Sequence, residues 1–394
     1  MKILQINNVY GEKSTGVLTM LLHEGLLASG EQSLVVYGRG KGKNGPGVMR
    51  LCPDWYGKMH SLLSRVTGLA YGGCTLSTWR LQRIILREKP DVVHLQCING
   101  HFVNVYRLVA WLKHRRIKTV VSLHAEFMYT GNCGHAYDCE QWKTGCKTCP
   151  NLRESTQSWW MDRTGTSWRK LQKAFAEFAE DCVLCPVSDW VKKRVSQAQI
   201  VAGIPVQTVR NAVDLPFAYR KTEEKEHAVL HVTAHFCTRK THPKGGWYVL
   251  EMAKRMPDVT FYVAGPGGNG EALPDNVVYL GEIADREVLA EWYRRVKITL
   301  VTSKAETFSM PVAESLCCGT PVVGFCAGGP EEIALPAHST FVPFGDMDCL
   351  EETLRCWLQR PVDCAQIAQE AAQAYGWEAY VQQFQKVYRR LLWK

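Results

Sequence analysis

Glu306 and Glu314 stand with seven residues between them in the run Ser303-Lys304-Ala305-Glu306-Thr307-Phe308-Ser309-Met310-Pro311-Val312-Ala313-Glu314, directly after the β-rich segment Ile298-Thr299-Leu300-Val301-Thr302. Pro311 suits a first helical turn, where its missing N–H would have no helical partner. The backbone N–H groups around Phe308 to Met310 are then free to hold an anion or the hydroxyls of a sugar. Glu314 falls near the start of that helix, and a carboxylate accepts paired hydroxyls well, as on a ribose. Either glutamate alone is more often a solvated loop residue or a partner of the helix dipole.

A second constellation is cationic. Arg239 and Lys244 lie in Thr238-Arg239-Lys240-Thr241-His242-Pro243-Lys244-Gly245, between the strand-like His231-Val232-Thr233 and a helix opened by Gly245-Gly246. Fixed positive charge there would receive the charge that builds on a departing phosphate, a task otherwise given to a metal ion. With such a clamp no catalytic cofactor is required, and metal-independent catalysis is expected. An exposed basic loop is the plainer reading of the same residues.

Three features of the amino-terminal half join the candidates. The loop from Asn8 to Gly16 follows the first strand, and Gly16 would allow backbone to approach a ligand closely. His124 ends the strand-like Lys118–Leu123, although a lone histidine is more often structural. Cys133, Cys139, Cys146 and Cys149 fall in one loop, 129–150, and Cys146-x-x-Cys149 has the spacing of zinc ligands. A structural zinc, a disulfide staple and four free thiols all remain open for that loop.

The elements that must position these residues alternate along the chain. Strands are expected at Lys2–Asn7, Ser33–Gly38, Asp91–Gln96, Lys118–His124, Cys182–Ser188 and Val206–Asn211, with helices over Val17–Ala28, Leu76–Glu88, Val103–His114 and Trp190–Ala202. Alternation restarts with a strand at Ala228–Thr233 and continues to Phe325, and a final helix over Trp377–Leu392 must bury one face. Such patterning implies parallel sheets covered on both sides. The expected organisation is an amino-terminal domain over 1–213, a linker over 214–227, a second domain over 228–375 and a carboxy-terminal helix over 376–394 that packs back on the first domain.

Bulk properties fit this scheme. A chain of 394 residues is too long for one comfortable core, and 46% hydrophobic with 22% charged residues suits a soluble globular protein. No apolar run reaches the roughly 18 residues of a membrane span, and the start turns polar by Asn7, so a cytoplasmic location is expected. Most of the sixteen cysteines are scattered singly and read as buried thiols. The net charge of +9 implies an anionic partner, but no nucleic-acid-binding signature occurs, so nucleic acid is not among the expected partners. The stretch from Trp55 to Arg87 mixes basic and apolar residues, as a helix pair with a solvated face would, or a surface lying on an anionic membrane.

The run from Ser303 through Cys317-Cys318-Gly319-Thr320-Pro321 resembles the signature of retaining GT-B glycosyltransferases of the GT4 family (glycosyl transferases group 1). Arg239 followed five positions later by Lys244-Gly245, and Asn211-Ala212-Val213-Asp214, are similar to further family landmarks. The cysteine loop resembles a branch found in polysaccharide, colanic-acid-like, biosynthesis, where its place suggests acceptor recognition. The resemblance implies an α/β GT-B fold of two doubly wound Rossmann-like domains facing a central cleft. It implies transfer of a sugar, with retention, from a nucleotide diphosphate sugar to a glycan or lipid-linked acceptor. It assigns Glu306 and His124 to the donor sugar, Thr307 to Met310 to sugar hydroxyls or phosphate, Glu314 to the ribose, and Arg239, Lys244 and Gly16 to the phosphates. Ser309 departs from the small or glycine residue usual in the family after the phenylalanine, and Thr15-Gly16 from its glycine pair. A nucleotide-sugar epimerase or a non-catalytic binding subunit shares the architecture, although the presence of Glu306, Glu314, Arg239 and Lys244 together argues against the latter.

Overall fold

The computed structural model describes residues 1–43, 45–221, 224–268 and 272–393, which divide into two compact units: Met1–Arg210 with Tyr380–Lys394, and Asn211–Ala379. In the first unit, β1 (Lys2–Asn7), β2 (Gln32–Tyr37), β3 (Val48–Arg50), β4 (Val92–Leu95), β5 (Thr119–Leu123) and β6 (Cys182–Pro186) form one parallel sheet in the order β3-β2-β1-β4-β5-β6. Every residue of β4, β5 and β6 is buried, which explains why they read as unbroken apolar runs rather than alternating ones.

The second unit repeats the winding. Its strands are β7 (Glu226–Val232), β8 (Thr260–Ala264), β9 (Val277–Gly281), β10 (Val296–Val301), β11 (Val322–Phe325) and β12 (Ser339–Val342), again all parallel, in the order β12-β11-β10-β7-β8-β9. Both sheets are doubly wound and Rossmann-like, each reversing direction between its first and fourth strands. That switch point lies between β1 and β4 in one unit and between β7 and β10 in the other, and in open α/β sheets ligands bind beyond the strand ends there.

The helix Trp377–Leu392 begins in the second unit and from Tyr380 onward belongs to the first. Its Tyr380, Val381, Phe384, Val387, Tyr388 and Leu391 are all buried, the stripe expected of a helix packed on one face. Tyr388 Oη lies 2.7 Å from His94 Nδ1, and His94 Nε2 lies 2.8 Å from Ser122 Oγ, tying the helix to β4 and β5. Val381 packs so closely on Gly25 that a Cβ there would stand 2.4 Å from its Cγ2.

Three expectations need correction. Val206–Asn211 is not a full strand: it makes a single bridge, Leu184 to Val206, with Gln207 N and Val209 N donating to Leu184 O and Pro186 O. Pro186 has no N–H to return, so the ladder cannot continue in both directions. The helix from Trp190 is shorter than expected; it starts at Asp189, capped by Ser188 Oγ, and stops at Val195. The chain then tightens into a turn that buries Ile200 and Val201. The stretch 214–227 is built into the second unit rather than loose. Phe217 is fully buried with its ring 5.9 Å from that of Tyr293, and Lys225 Nζ donates to Arg294 O, Val296 O and Thr320 Oγ1. Burial brings the Lys225 pKa down to about 8. Thr222 and Glu223 of that stretch lie outside the described residues.

Candidate functional site

The switch point of the second sheet is flanked by the loop after β7, which carries Arg239 and Lys244, and the loop after β10, which carries Glu306. Two hydrogen bonds hold the loops together: Lys304 N donates to Pro243 O at 2.8 Å, and the Thr302 hydroxyl, Oγ1, donates to Gly245 O at 3.0 Å. Gly245 has φ +71°, and a Cβ there would stand 2.0 Å from Thr302 O, so only glycine allows this approach. Across the seam Lys244 Nζ meets Glu306 Oε1 at 2.6 Å, with both side chains partly open to solvent. Arg239 shares the loop but is exposed, its Nε donating to Cys237 Sγ at 3.5 Å. Lys244 and Glu306 are thus brought into contact, whereas no bond joins Arg239 to Glu306 among the described residues.

The segment after Glu306 is fixed from below. Glu306 N donates to Ala327 O and Gly329 N to Glu306 O, anchoring the loop beside the end of β11. Thr307 and Phe308 are buried, and the Phe308 ring stands edge-on to Tyr375 with centroids 6.1 Å apart. Ser309 stands at the N-cap position of the helix Met310–Cys317 with φ +77°, in the left-handed region that favours glycine. That backbone geometry accounts for a preference for glycine at this position, and serine occupies it at some strain.

Glu314, in the second turn of that helix, is buried among partners the sequence did not reveal. Arg286 Nη2 reaches Glu314 Oε1 at 3.4 Å while its Nε donates to Asp214 Oδ2 at 2.7 Å, and Tyr293 Oη donates to Glu314 Oε2 at 3.2 Å. The Arg286 guanidinium lies 4.8 Å over the Phe217 ring. Burial raises the Glu314 pKa to about 7; the Asp214 charge raises it too, and Arg286 opposes. Because the folded carboxyl holds its proton more tightly than the unfolded one, its contribution to stability is full below the ordinary carboxylate pKa and is lost as pH rises through about 7.

In the first unit, Gly16 lies inside the helix Lys13–Ala28 rather than in the preceding loop. A Cβ at Gly16 would stand 3.0 Å from Val9 Cγ2, so the glycine lets the first turn pack on the strand-to-helix loop. His124 follows β5 and is half-buried, with Nε2 3.0 Å from Gln96 Oε1 at the end of β4. The cysteine loop is anchored by an ion pair that no motif in the sequence marks. Glu126 accepts from Arg194 Nε at 2.5 Å, Tyr129 Oη at 2.7 Å and Ala136 N at 2.7 Å, and its side chain is 1% exposed. Arg194 in turn lies 4.8 Å from the ring centroids of both Trp142 and Trp190. Cys133 and Cys149 share a hydrogen bond that holds the Cys149 thiol down to about 7 and, with burial, pushes Cys133 up. Cys146 donates instead to Thr130 O at 3.9 Å. Among the described residues no three His, Cys, Asp or Glu side chains are grouped as a metal ion would need.

One Asp-x-Asp triplet, a pattern often used to hold a divalent ion, does occur: Asp346-Met347-Asp348. Asp346 caps the helix Met347–Gln359 through Cys349 N, and Asp348 pairs with Arg255 at 2.5 Å, so both carboxylates serve the surface of that helix.

A family model described as glycosyl transferases group 1 matches residues 234–360, which include both loops of the switch point and Glu314. Over 99% of this chain and the whole of the relative, the sequence is 24% identical to a putative colanic acid biosynthesis glycosyl transferase, WcaC, of Escherichia coli strain K12. A D-inositol 3-phosphate glycosyltransferase of Thermomonospora curvata is 34% identical over 146 residues, which is 33% of this chain and 34% of that one. Among solved structures, sucrose-phosphate synthase from Thermosynechococcus elongatus is similar with a TM-score of 0.69 at 14% identity over 99% of both chains. Anabaena HepE in complex with UDP gives 0.65 at 14% identity, over 98% of this chain and 99% of that one. Residues 234–360 are therefore a glycosyl transferases group 1 domain, and the chain has the two-unit GT-B fold.

Proposed function

We propose that the chain moves a sugar from a nucleotide diphosphate sugar to an acceptor hydroxyl, with retained anomeric configuration and without a metal ion, in the synthesis of a surface polysaccharide or glycolipid. The observation that carries this reading is the Lys244–Glu306 contact at the switch point of the second sheet. A diphosphate entering there would draw Lys244 away from Glu306, placing the ammonium on the leaving group as charge develops and freeing the carboxylate for the donor sugar. The N–H groups at the start of Met310–Cys317 face the same anion, and Glu314 receives the ribose hydroxyls beside Tyr293. The colanic acid role of the Escherichia coli relative favours a polysaccharide acceptor, and the UDP and UDP-glucose complexes of HepE favour a uridine donor.

Offering UDP-, GDP- and other nucleotide sugars in turn is expected to show one class that raises the melting temperature, since a ligand of the native state stabilises it by mass action. No shift with any of them would remove the donor reading. Release of free sugar nucleotide epimers from donor alone would point to an epimerase, and loss of turnover in EDTA would overturn metal independence.

The protonation of Glu314 supplies a second check. An ionised carboxylate accepts two hydroxyls and a protonated one competes with them, so donor KM is expected to rise as pH falls below about 7. Glu314→Gln is expected to raise KM and flatten that profile; an unchanged profile in the variant would take Glu314 off the ribose.

The cysteine loop is proposed to close on a structural zinc through Cys133, Cys139, Cys146 and Cys149, which requires Cys139 and Cys146 to join the Cys133–Cys149 pair. Metal analysis of freshly reduced protein is expected to find near-stoichiometric zinc. Only a trace would leave the loop to its thiols and to the Glu126–Arg194 anchor.

A further inference from the structure

Arg286 occupies the first turn of the helix Arg286–Arg295, directly after the cap Asp285, whose Oδ1 accepts from Glu287 N at 2.8 Å. A cation is disfavoured there, because the amino-terminal end of a helix is itself positive. Its partners account for the placement. The guanidinium grips Asp214 with two bonds, Nε to Oδ2 at 2.7 Å and Nη2 to Oδ1, and the second N–H of Nη2 is left for Glu314 Oε1 at 3.4 Å. Asp214 is fixed in turn, since Val213 N donates to Tyr375 O at 2.9 Å and Phe217 N to Asp214 O at 3.2 Å. Among the described residues Arg286 is the one cation bonded to Glu314, and with that side chain 7% exposed, water cannot take its place.

Each oxygen of the Glu314 carboxylate thus has one protein donor, Arg286 at Oε1 and Tyr293 at Oε2. A carboxylate oxygen can accept a second hydrogen bond, so one site remains on each, side by side, which is what a pair of neighbouring hydroxyls requires. Ribose offers that pair and deoxyribose does not. With only one hydroxyl present, the other site would be left unpaired on a buried charged group, and a site built in this way rejects the analogue that lacks the hydroxyl. The remaining titratable neighbours do not compete for these sites. Burial raises the pKa of Tyr293, and of Cys317 and Cys318 on the helix of Glu314, so all three stay neutral near pH 7.

We propose that Arg286, held by Asp214, is a positioning residue of the donor site: it keeps Glu314 an oriented, ionised acceptor of two hydroxyls, so that the site takes ribonucleotides and refuses deoxyribonucleotides. Arg286 touches no donor atom in this role and acts through Glu314. The role rests on the donor reading and adds a substrate class to it, sugars carried by ribonucleoside diphosphates. Arginine suits the task because its planar fork serves two carboxylates at once, which the single ammonium of a lysine cannot do in the same geometry.

The test is calorimetric titration of the full chain with UDP, GDP, ADP and CDP, each beside its deoxy form, above and below about pH 7. The parent is expected to bind one ribonucleotide about tenfold or more tightly than its deoxy form, with affinity falling as the pH drops below about 7. Arg286→Ala is expected to weaken that ribonucleotide about tenfold and to narrow the preference to less than about threefold. It should also move the fall in affinity to higher pH, because a nearby opposite charge favours the ionised carboxyl. Arg286→Lys keeps a charge without the fork and is expected to recover part of the affinity and to bring the fall back toward the parent's pH. Thermal melts show whether each variant folds; should Arg286→Ala not fold, Arg286→Lys and the parent's own preference decide. Equal affinity of the parent for ribonucleotide and deoxy form would overturn this role and leave the donor reading standing. Binding of none of these nucleotides would overturn both. Variants that keep the parent's preference and pH profile, whatever their melting temperature, would reduce Arg286 to a brace of the fold and overturn the role.

Discussion

Lys244→Ala is expected to lower kcat by about 10²–10³-fold, the scale seen when one preorganised charge-stabilising group is removed from a transition state. The fold should not register the change. The loop that carries Lys244 is held by Lys304 N to Pro243 O, Thr302 Oγ1 to Gly245 O and the close seat of Gly245 on Thr302, none of which involves the lysine side chain. The ion pair with Glu306 is partly solvated, and such pairs contribute little to stability, so its loss should leave the melting temperature close to that of the parent. Steady-state kinetics with the identified donor, run beside a thermal melt, checks both halves. Near-normal kcat would take Lys244 out of the clamp, and the charge on the leaving group would then fall to Arg239 alone. A large fall in melting temperature would mean that the pair serves the fold, contrary to the exposure of both side chains.

The largest stability effect is expected at the anchor of the cysteine loop. Removing Glu126 leaves the Arg194 guanidinium largely buried between two tryptophans without its counter-ion, and breaking a buried pair on one side costs about 3–5 kcal/mol. Tyr129 Oη and Ala136 N lose their acceptor at the same time. In a unit of this size each kcal/mol moves the midpoint by roughly 2–4 °C, so Glu126→Ala should melt roughly 6–20 °C below the parent. Replacing both partners with apolar residues, Glu126→Leu with Arg194→Met, is expected to recover much of the loss, because no charge is then left buried alone. A single variant within a degree or two of the parent would show the loop to be held by other contacts, the proposed zinc among them.

What the sequence disclosed and what it hid follow from the range of the interactions involved. The strands around the switch points were legible because their signal is local: Ile298 to Val301 and Val229 to Val232 are short apolar runs punctuated by loops. Lys244 and Glu306 were legible through a motif, yet their contact depends on the hydrogen bonds of Lys304 N to Pro243 O and Thr302 Oγ1 to Gly245 O, between residues some sixty positions apart. Arg286 and Tyr293 were invisible as partners of Glu314 because nothing in a solvated-looking helix, Arg286–Arg295, marks which of its polar side chains turn inward. Asp214 was noticed only as part of a landmark, although it holds the arginine that touches Glu314. Likewise 214–227 looked like a linker because its charges suggested solvent, whereas Lys225 finds three oxygens inside the fold.

The return of Tyr380 to Leu391 to the first sheet bears on how the protein is made. The unit that leaves the ribosome first lacks Val381, Phe384 and Tyr388 until the whole of the second unit has been translated, so His94, Gly25 and their neighbours wait with an open face while the second unit, already complete in sequence, folds. A released chain that stops after Ala379 is therefore expected to present a finished carboxy-terminal unit and an unfinished amino-terminal one, the reverse of the order in which they were synthesised.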